Sequence, residues 1–435
     1  MNSLLIEDVT IITMDAERRV IRNGAIVADS GIITFVGPSS DLPQGLPEVP
    51  RICGRGQVAT PGLVNAHTHS AMVLFRGYAD DLPLQEWLET KIFPVEARLT
   101  RDDVYWGAML ACAEMIRSGT TAFADMYFHM DEAARAVEAS GMRASLSEGM
   151  TSASGRGDDA LARGAGFCER WHGAAGGRIT TMLAPHAPYT CSRQFMGAVA
   201  ARAEALGVGV HTHISETFRE VRDIKLLHGM SPVEFVEASG LLDVQVLAAH
   251  CVAVSDRDMD ILAQHGVKVA HNPGSNMKLA SGTAPIAKML KRHMDVGLGT
   301  DGAASNNNLD MVEEMRLAAL LHKVASAEST AMPALTCLEM ATRGGAACIG
   351  LSDYIGSIEV GKKADIVLFD FAVPHLTPSC VADPLSHIVY SAEGSDVTTV
   401  IIDGALVMEN RRLTTIDERE VMAEVEKRTY RLASV

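Results

Sequence analysis

From Pro61 onward the chain alternates short apolar runs of β type with longer stretches of helical period, and the alternation recurs eight times. The runs fall near residues 63–66, 121–125, 143–146, 180–184, 209–212, 245–249, 268–270 and 295–298, with helical pattern between them, as over 102–118 and 131–140. Apolar strands separated by helices make a parallel sheet covered by those helices. Eight such units close on themselves, so the expected class is α/β with a (β/α)8 TIM-type barrel over residues 61–364.

The two ends read differently. Residues 1–60 predict short strands at 3–13, 25–29 and 32–36, with Asp29-Ser30-Gly31 as a hairpin turn and no stretch of helical length. Strands return at 364–370, 397–403 and 405–408. The N-terminal segment 1–60 and the C-terminal segment 365–435 are therefore expected to pair into one small β-sandwich beside the barrel. A length of 435 residues suits this division, since a barrel takes about 250 residues.

A formal net charge of −16 leaves no basic stripe for phosphate, which argues against nucleic acid and anionic membrane as partners. No apolar run approaches the roughly 20 residues of a membrane helix. Residues 1–17 carry Glu7, Asp8 and Asp15 without a basic residue, which is wrong for a secretory or transit leader, so a cytoplasmic location is expected. The eight cysteines, at 53, 112, 168, 191, 251, 337, 348 and 380, include no C-x-x-C pair and read as reduced thiols. A homo-oligomer is the expected assembly.

The chemistry lies at the strand ends. His67 and His69 close the first run, His186 the fourth, His211 and His213 the fifth, His250 the sixth and His271 the seventh, while Asp301 follows the eighth. A barrel's active site sits at the C-terminal ends of its strands. One histidine there is an ordinary hydrogen-bonded residue, but so many at ends of one polarity point to a metal. Residues i and i+2 of a strand share a face, so His67 and His69 project together.

His67, His69, His213 and Asp301 supply three imidazoles and a carboxylate, a mononuclear donor set suited to zinc, with ferrous iron as the alternative. One divalent metal per chain is expected, because no lysine is evidently placed to bridge a second ion. Asp301, in the short Thr-Asp-Gly turn, would touch the metal and accept a proton from its water. His250 is the candidate to orient that hydroxide and stabilise developing charge. His211 would sit one pleat deeper than His213 and reads as a packed core histidine. Glu216, three residues past His213, is a candidate proton shuttle with a raised pKa, or else a helix-end charge.

Five ordered blocks carry a resemblance: Pro61-Gly-Leu-Val-Asn-Ala-His-Thr-His69, His213-Ile-Ser-Glu216, His250-Cys-Val, the run from His271 to Lys278, and the run from Gly299 to Met311. With Gly356-Ser-Ile-Glu-Val-Gly-Lys-Lys-Ala-Asp365, they resemble the amidohydrolase superfamily, and within it the 5'-methylthioadenosine/S-adenosylhomocysteine deaminases. The resemblance implies hydrolytic deamination of a 6-aminopurine nucleoside. In that reaction hydroxide attacks C6, Glu216 protonates N1 and relays a proton to the departing ammonia, and Asp301 takes the proton of the water. It further implies that Glu96 accepts the ribose hydroxyls, His186 meets a purine nitrogen, and Trp87 covers the sugar or its 5' substituent.

One position departs from the pattern. Where these deaminases commonly carry an arginine after strand three, this chain has Glu148, expected to line the 5' end of the pocket and to disfavour a carboxylate there; Arg156 is the nearby cation. Two other readings stay open: a relative acting on a guanine, pterin or triazine ring, and a non-catalytic scaffold. The scaffold would be expected to have lost ligands or Glu216, and none is lost.

Overall fold

The computed structural model describes residues 2–45, 48–152, 155–379 and 383–434. Five strands open the chain: β1 (Leu4–Ile12), β2 (Val20–Asp29), β3 (Ile32–Pro38), β4 (Arg51–Cys53) and β5 (Gln57–Pro61). The barrel follows as β6 (Leu63–Thr68), β7 (Thr120–Tyr127), β8 (Arg143–Met150), β9 (Ile179–Pro185), β10 (Gly209–Ile214), β11 (Val246–His250), β12 (Lys268–His271) and β13 (Val296–Leu298). These eight strands pair in sequence order, all parallel. Strands covered on both faces are mostly apolar, and every residue of β6 and β7 is buried, the polar ones Asn65 and Asp125 included.

The edges of the barrel sheet, β13 and β6, are joined by side chains as well as backbone. Asp301 donates its backbone N–H to the His67 carbonyl at 2.9 Å. Asn65 accepts the Thr300 N–H at 3.1 Å and donates to the Thr300 hydroxyl at 2.7 Å. The buried polar Asn65 inside a mostly apolar strand is thus fully used, and the Thr300-Asp301 turn is registered against strand one by the same bonds.

β14 (Ile366–Asp370), β15 (Val397–Ile402), β16 (Ala405–Glu409) and β17 (Arg412–Leu413) join the five N-terminal strands in one nine-stranded mixed sheet, the two ends meeting where β5 pairs antiparallel with β14. This sheet packs its own apolar cluster, including Leu4, Ile6, Ile26, Ile366, Leu368 and Ile401. Gly62 is the joint between the two sheets. A Cβ there would lie 1.9 Å from the Thr121 hydroxyl, so the close crossing requires glycine. At the barrel floor Arg143 makes a bidentate pair with Asp365, at 2.8 and 3.0 Å, both side chains buried, tying β8 to the terminal sheet.

Three features depart from expectation. β4 and β5 add strands to the terminal sheet within 51–61, where no particular strand was expected, and Pro61 ends that sheet rather than opening the barrel. Helix Pro384–Tyr390 and helix Glu418–Ala433 lie in the C-terminal segment, where only strands were expected. In the latter, Val421, Val425, Arg428 and Leu432 form one buried face, and Arg428 and Arg431 pair with Asp102 and Asp103 of barrel helix Arg101–Arg117. The seven described cysteines are free; Cys380 lies outside the described residues. Among the described residues no helix is long and apolar enough to cross a membrane.

Candidate active site

The C-terminal strand ends open into a cleft of about 890 Å³. At its floor His67, His69 and His213 bring nitrogens within 4.8 Å of one another, and His67, His250 and Asp301 form an overlapping group. The tautomers follow from the partners. His69 Nδ1 donates to the Met126 carbonyl and His213 Nδ1 to the His186 carbonyl at 2.7 Å. The remaining lone pairs, on the two Nε2 atoms, then face each other at 3.4 Å. Two such lone pairs repel unless a cation lies between them. His67 Nε2 is buried without a hydrogen-bond partner and lies 3.5 Å from Asp301 Oδ1, which is also 3.4 Å from His69 Nε2. The donor set fits a divalent metal.

Electrostatics agree. Burial holds His67 neutral, lowering its pKa to about 4, and burial with the surrounding imidazoles holds His213 well below its ordinary value. Burial pushes the Asp301 carboxyl up, but the adjacent imidazoles of His67, His69 and His250 outweigh it and keep it well below the usual carboxylate range. These are the protonation states of ligands.

Glu216 and His250 face the same cleft. Burial raises the pKa of Glu216. His250 is buried, which lowers its pKa, yet the Glu216 and Asp301 carboxylates more than compensate and raise it. Its Nδ1 lies 3.1 Å from Asn276 Oδ1, so the ring is held with Nε2 free.

The opposite wall comes from the segment after strand one. Helical turns Leu84–Trp87 and Phe93–Glu96, with a wide turn Leu88–Ile92 between them, bring Leu84, Trp87, Leu88, Ile92, Phe93 and Glu96 to the cleft. Trp87 is buried and donates its indole N–H to the Ala79 carbonyl at 2.9 Å. Glu96 accepts the Tyr127 hydroxyl at 2.6 Å. His186 lies beside these groups, its Nδ1 2.9 Å from the Thr190 hydroxyl, and burial lowers its pKa to about 4.

One expectation is corrected. Glu148 accepts the backbone N–H of Met130 at 3.0 Å, so it sits on the N-terminus of helix Met130–Ser140 and is not among the lining residues. A free helix N–H attracts a carboxylate, which explains the turn away from the pocket. His211 is the buried core histidine expected, and its Nε2 lies 2.9 Å from His67 Nδ1. Arg156 precedes helix Gly157–Trp171 and does not line the cleft.

Several residues escaped the sequence reading. Ser275 and Ser305 donate to Asp301 Oδ2 at 2.6 and 2.9 Å, leaving Oδ1 toward the histidines. Glu220 accepts the backbone N–H groups of Ser215 and Glu216 at 3.0 and 2.8 Å, fixing the loop that carries Glu216. Ser275 and Ser305 carried only the signal of position inside the blocks that bear the resemblance, and Glu220, four residues past His213-Ile-Ser-Glu216, carried none.

The amidohydrolase family model matches residues 58–407. A 5-methylthioadenosine/S-adenosylhomocysteine deaminase of Desulforudis audaxviator is 55% identical over 409 residues, 94% of this chain and 95% of that one. A 5'-deoxyadenosine deaminase of Methanosarcina mazei is 50% identical over 436 residues, 100% of this chain and 99% of that one. Among solved structures, an adenosine deaminase from Xanthomonas campestris with bound zinc superposes with a TM-score of 0.95 at 36% identity, covering 99% of each chain.

Proposed function

The chain belongs to the amidohydrolase family, and from that premise we propose that it is a metal-dependent hydrolytic deaminase of adenine nucleosides, releasing ammonia and the inosine analogue. The observation that carries the reading is a buried carboxyl, Glu216, in the same cleft as the three-histidine, one-aspartate group. An adenine ring needs an acid at N1 beside the activated water, and Glu216 supplies one. The names of the relatives support the substrate class.

His67, His69, His213 and Asp301 would hold the metal; zinc is proposed over iron on the nitrogen-rich donor set and the zinc of the Xanthomonas structure. When bound, a divalent metal supplies Lewis acidity that lowers the pKa of water from 15.7 toward about 7. Asp301 takes one proton of the water and His250 steadies the oxygen that attacks C6. Glu216 gives its proton to N1. The proton held by Asp301 passes to the amino nitrogen, which leaves as ammonia, while the proton of the new C6 hydroxyl returns to Glu216. Water has then replaced the amine, with both carboxyls restored. His186 meets a purine nitrogen, Glu96 the ribose hydroxyls, and Trp87 covers the sugar.

Much of the cleft lining is apolar, and no lysine or arginine occurs among the described lining residues. The proposed preference is for neutral 5' substituents, 5'-deoxyadenosine and 5'-methylthioadenosine, over S-adenosylhomocysteine. A cytoplasmic location fits the free cysteines. Self-association fits the exposed Leu226 and Leu227 of helix Phe218–His228.

Ammonia release from adenosine, the three 5'-modified nucleosides, guanine and a triazine tests the reading. Adenine nucleosides should be turned over fastest. Faster release from guanine or the triazine would transfer the assignment to the ring hydrolases of this fold.

A further inference from the structure

We propose that Tyr127 is a positioning residue that confers selectivity for nucleosides bearing an intact 2',3'-diol, by holding the Glu96 carboxylate in its diol-binding orientation. The inference rests on the nucleoside reading above. Tyr127 is the last residue of β7, buried, and its hydroxyl donates to Glu96 Oε1 at 2.6 Å. Among the described residues this is the one side-chain hydrogen bond from segment 84–96 to a barrel strand. The segment's other side-chain bonds, Trp87 to the Ala79 carbonyl and Thr90 to the Glu86 carbonyl, stay within the segment or the loop leading into it.

A cis-diol presents two O–H donors and needs two acceptor sites fixed side by side. An ionised carboxylate has them; a protonated or freely rotating one does not. Burial drives Glu96 toward its protonated form, and the Tyr127 bond opposes that shift. Tyr127 remains a donor, because burial and the adjacent carboxylate push its phenol well above its ordinary value. With Oε1 engaged, Oε2 and the remaining lone pairs are presented to the ribose. Glu96, on a four-residue helical turn of the cover, has no other side-chain partner among the described residues to set its rotamer.

The test compares kcat/KM for adenosine and 2',3'-dideoxyadenosine, by ammonia release, in the parent, Tyr127→Phe, Glu96→Ala and the double variant. Metal content is determined for each. The parent should prefer adenosine. Tyr127→Phe should shrink that preference by about tenfold, as expected for loss of a bond to a charged group, chiefly through KM for adenosine. In the Glu96→Ala background the same change should leave the ratio unaltered. A parent preference that survives intact in Tyr127→Phe, with both nucleosides slowed equally, overturns the proposal alone and makes Tyr127 merely structural. A parent with no preference, or one that turns over neither nucleoside, overturns the ribose or nucleoside reading beneath it.

Discussion

The two walls of the cleft are built by different rules. On the metal side each candidate ligand leaves the end of a strand and is fixed a second time: His69 and His213 by backbone carbonyls, His67 by His211, Asp301 by Ser275 and Ser305. The cover, residues 84–96, is three short helical turns carrying apolar side chains, with one side-chain bond to the barrel among the described residues. Strand ends give precise placement for chemistry, whereas a loosely tied apolar cover gives area without fixed direction. Reaction type should therefore be rigid in this scaffold and substrate choice adjustable.

The sharpest way to break that contrast is at the ligands. His69→Ala or His213→Ala should lose bound metal by elemental analysis and lower ammonia release to background, while Trp87→Leu on the cover keeps the metal. A His213→Ala protein retaining full metal would show that the strand ends are not the ligand set. Next in size is Glu216→Gln, which should keep the metal and lower kcat by roughly 10² to 10⁴. Burial raises the pKa of Glu216, so its donor proton persists further toward neutral pH than on a surface glutamate. As pH rises through that value the proton is lost and kcat/KM falls; the Gln variant should lack this alkaline limb. An identical limb in the variant would move the acid role elsewhere.

Smaller effects belong to the substrate side. Phe128 is partly exposed and lines the cleft. Phe128→Arg should raise kcat/KM for S-adenosylhomocysteine relative to 5'-methylthioadenosine about fivefold, the return on a partly exposed ion pair of ~1 kcal/mol. Metal content should not change. Smallest is Glu148→Gln, which should alter that preference by less than about twofold and cost roughly 0.5 kcal/mol of stability through the helix N-terminus. A large gain for the carboxylate substrate would return Glu148 to the pocket.

Much of the framework was legible because its signals are local and repeated. The eight strand positions could be read from apolar runs, since a strand covered on both faces is mostly apolar, and His67, His69, His186, His213, His250 and His271 were conspicuous because they close such runs. Helix Glu418–Ala433 was not read, because its buried face holds Arg428 among Val421, Val425 and Leu432, and arginine looks exposed until its partners Asp102 and Asp103 are known. Glu148 misled for a related reason: it falls within β8, Arg143–Met150, rather than after it, and its direction depends on a helix N-terminus 18 residues earlier.

Residue types at strand ends, ordered along the chain, determined by themselves the barrel, the metal-donor chemistry and the resemblance to a hydrolytic family, because each depends on composition at fixed spacing. Only the tertiary structure decided which groups share a proton or a pocket: His211 behind His67, the two serines on Asp301, Glu220 under Glu216, Tyr127 against Glu96, and Glu148 turned outward. These are contacts between residues from 4 to 144 positions apart. The longer of these bonds are set by how strands and loops converge in space, and the short ones by the shape of a loop, neither of which the pattern of side chains along the chain encodes.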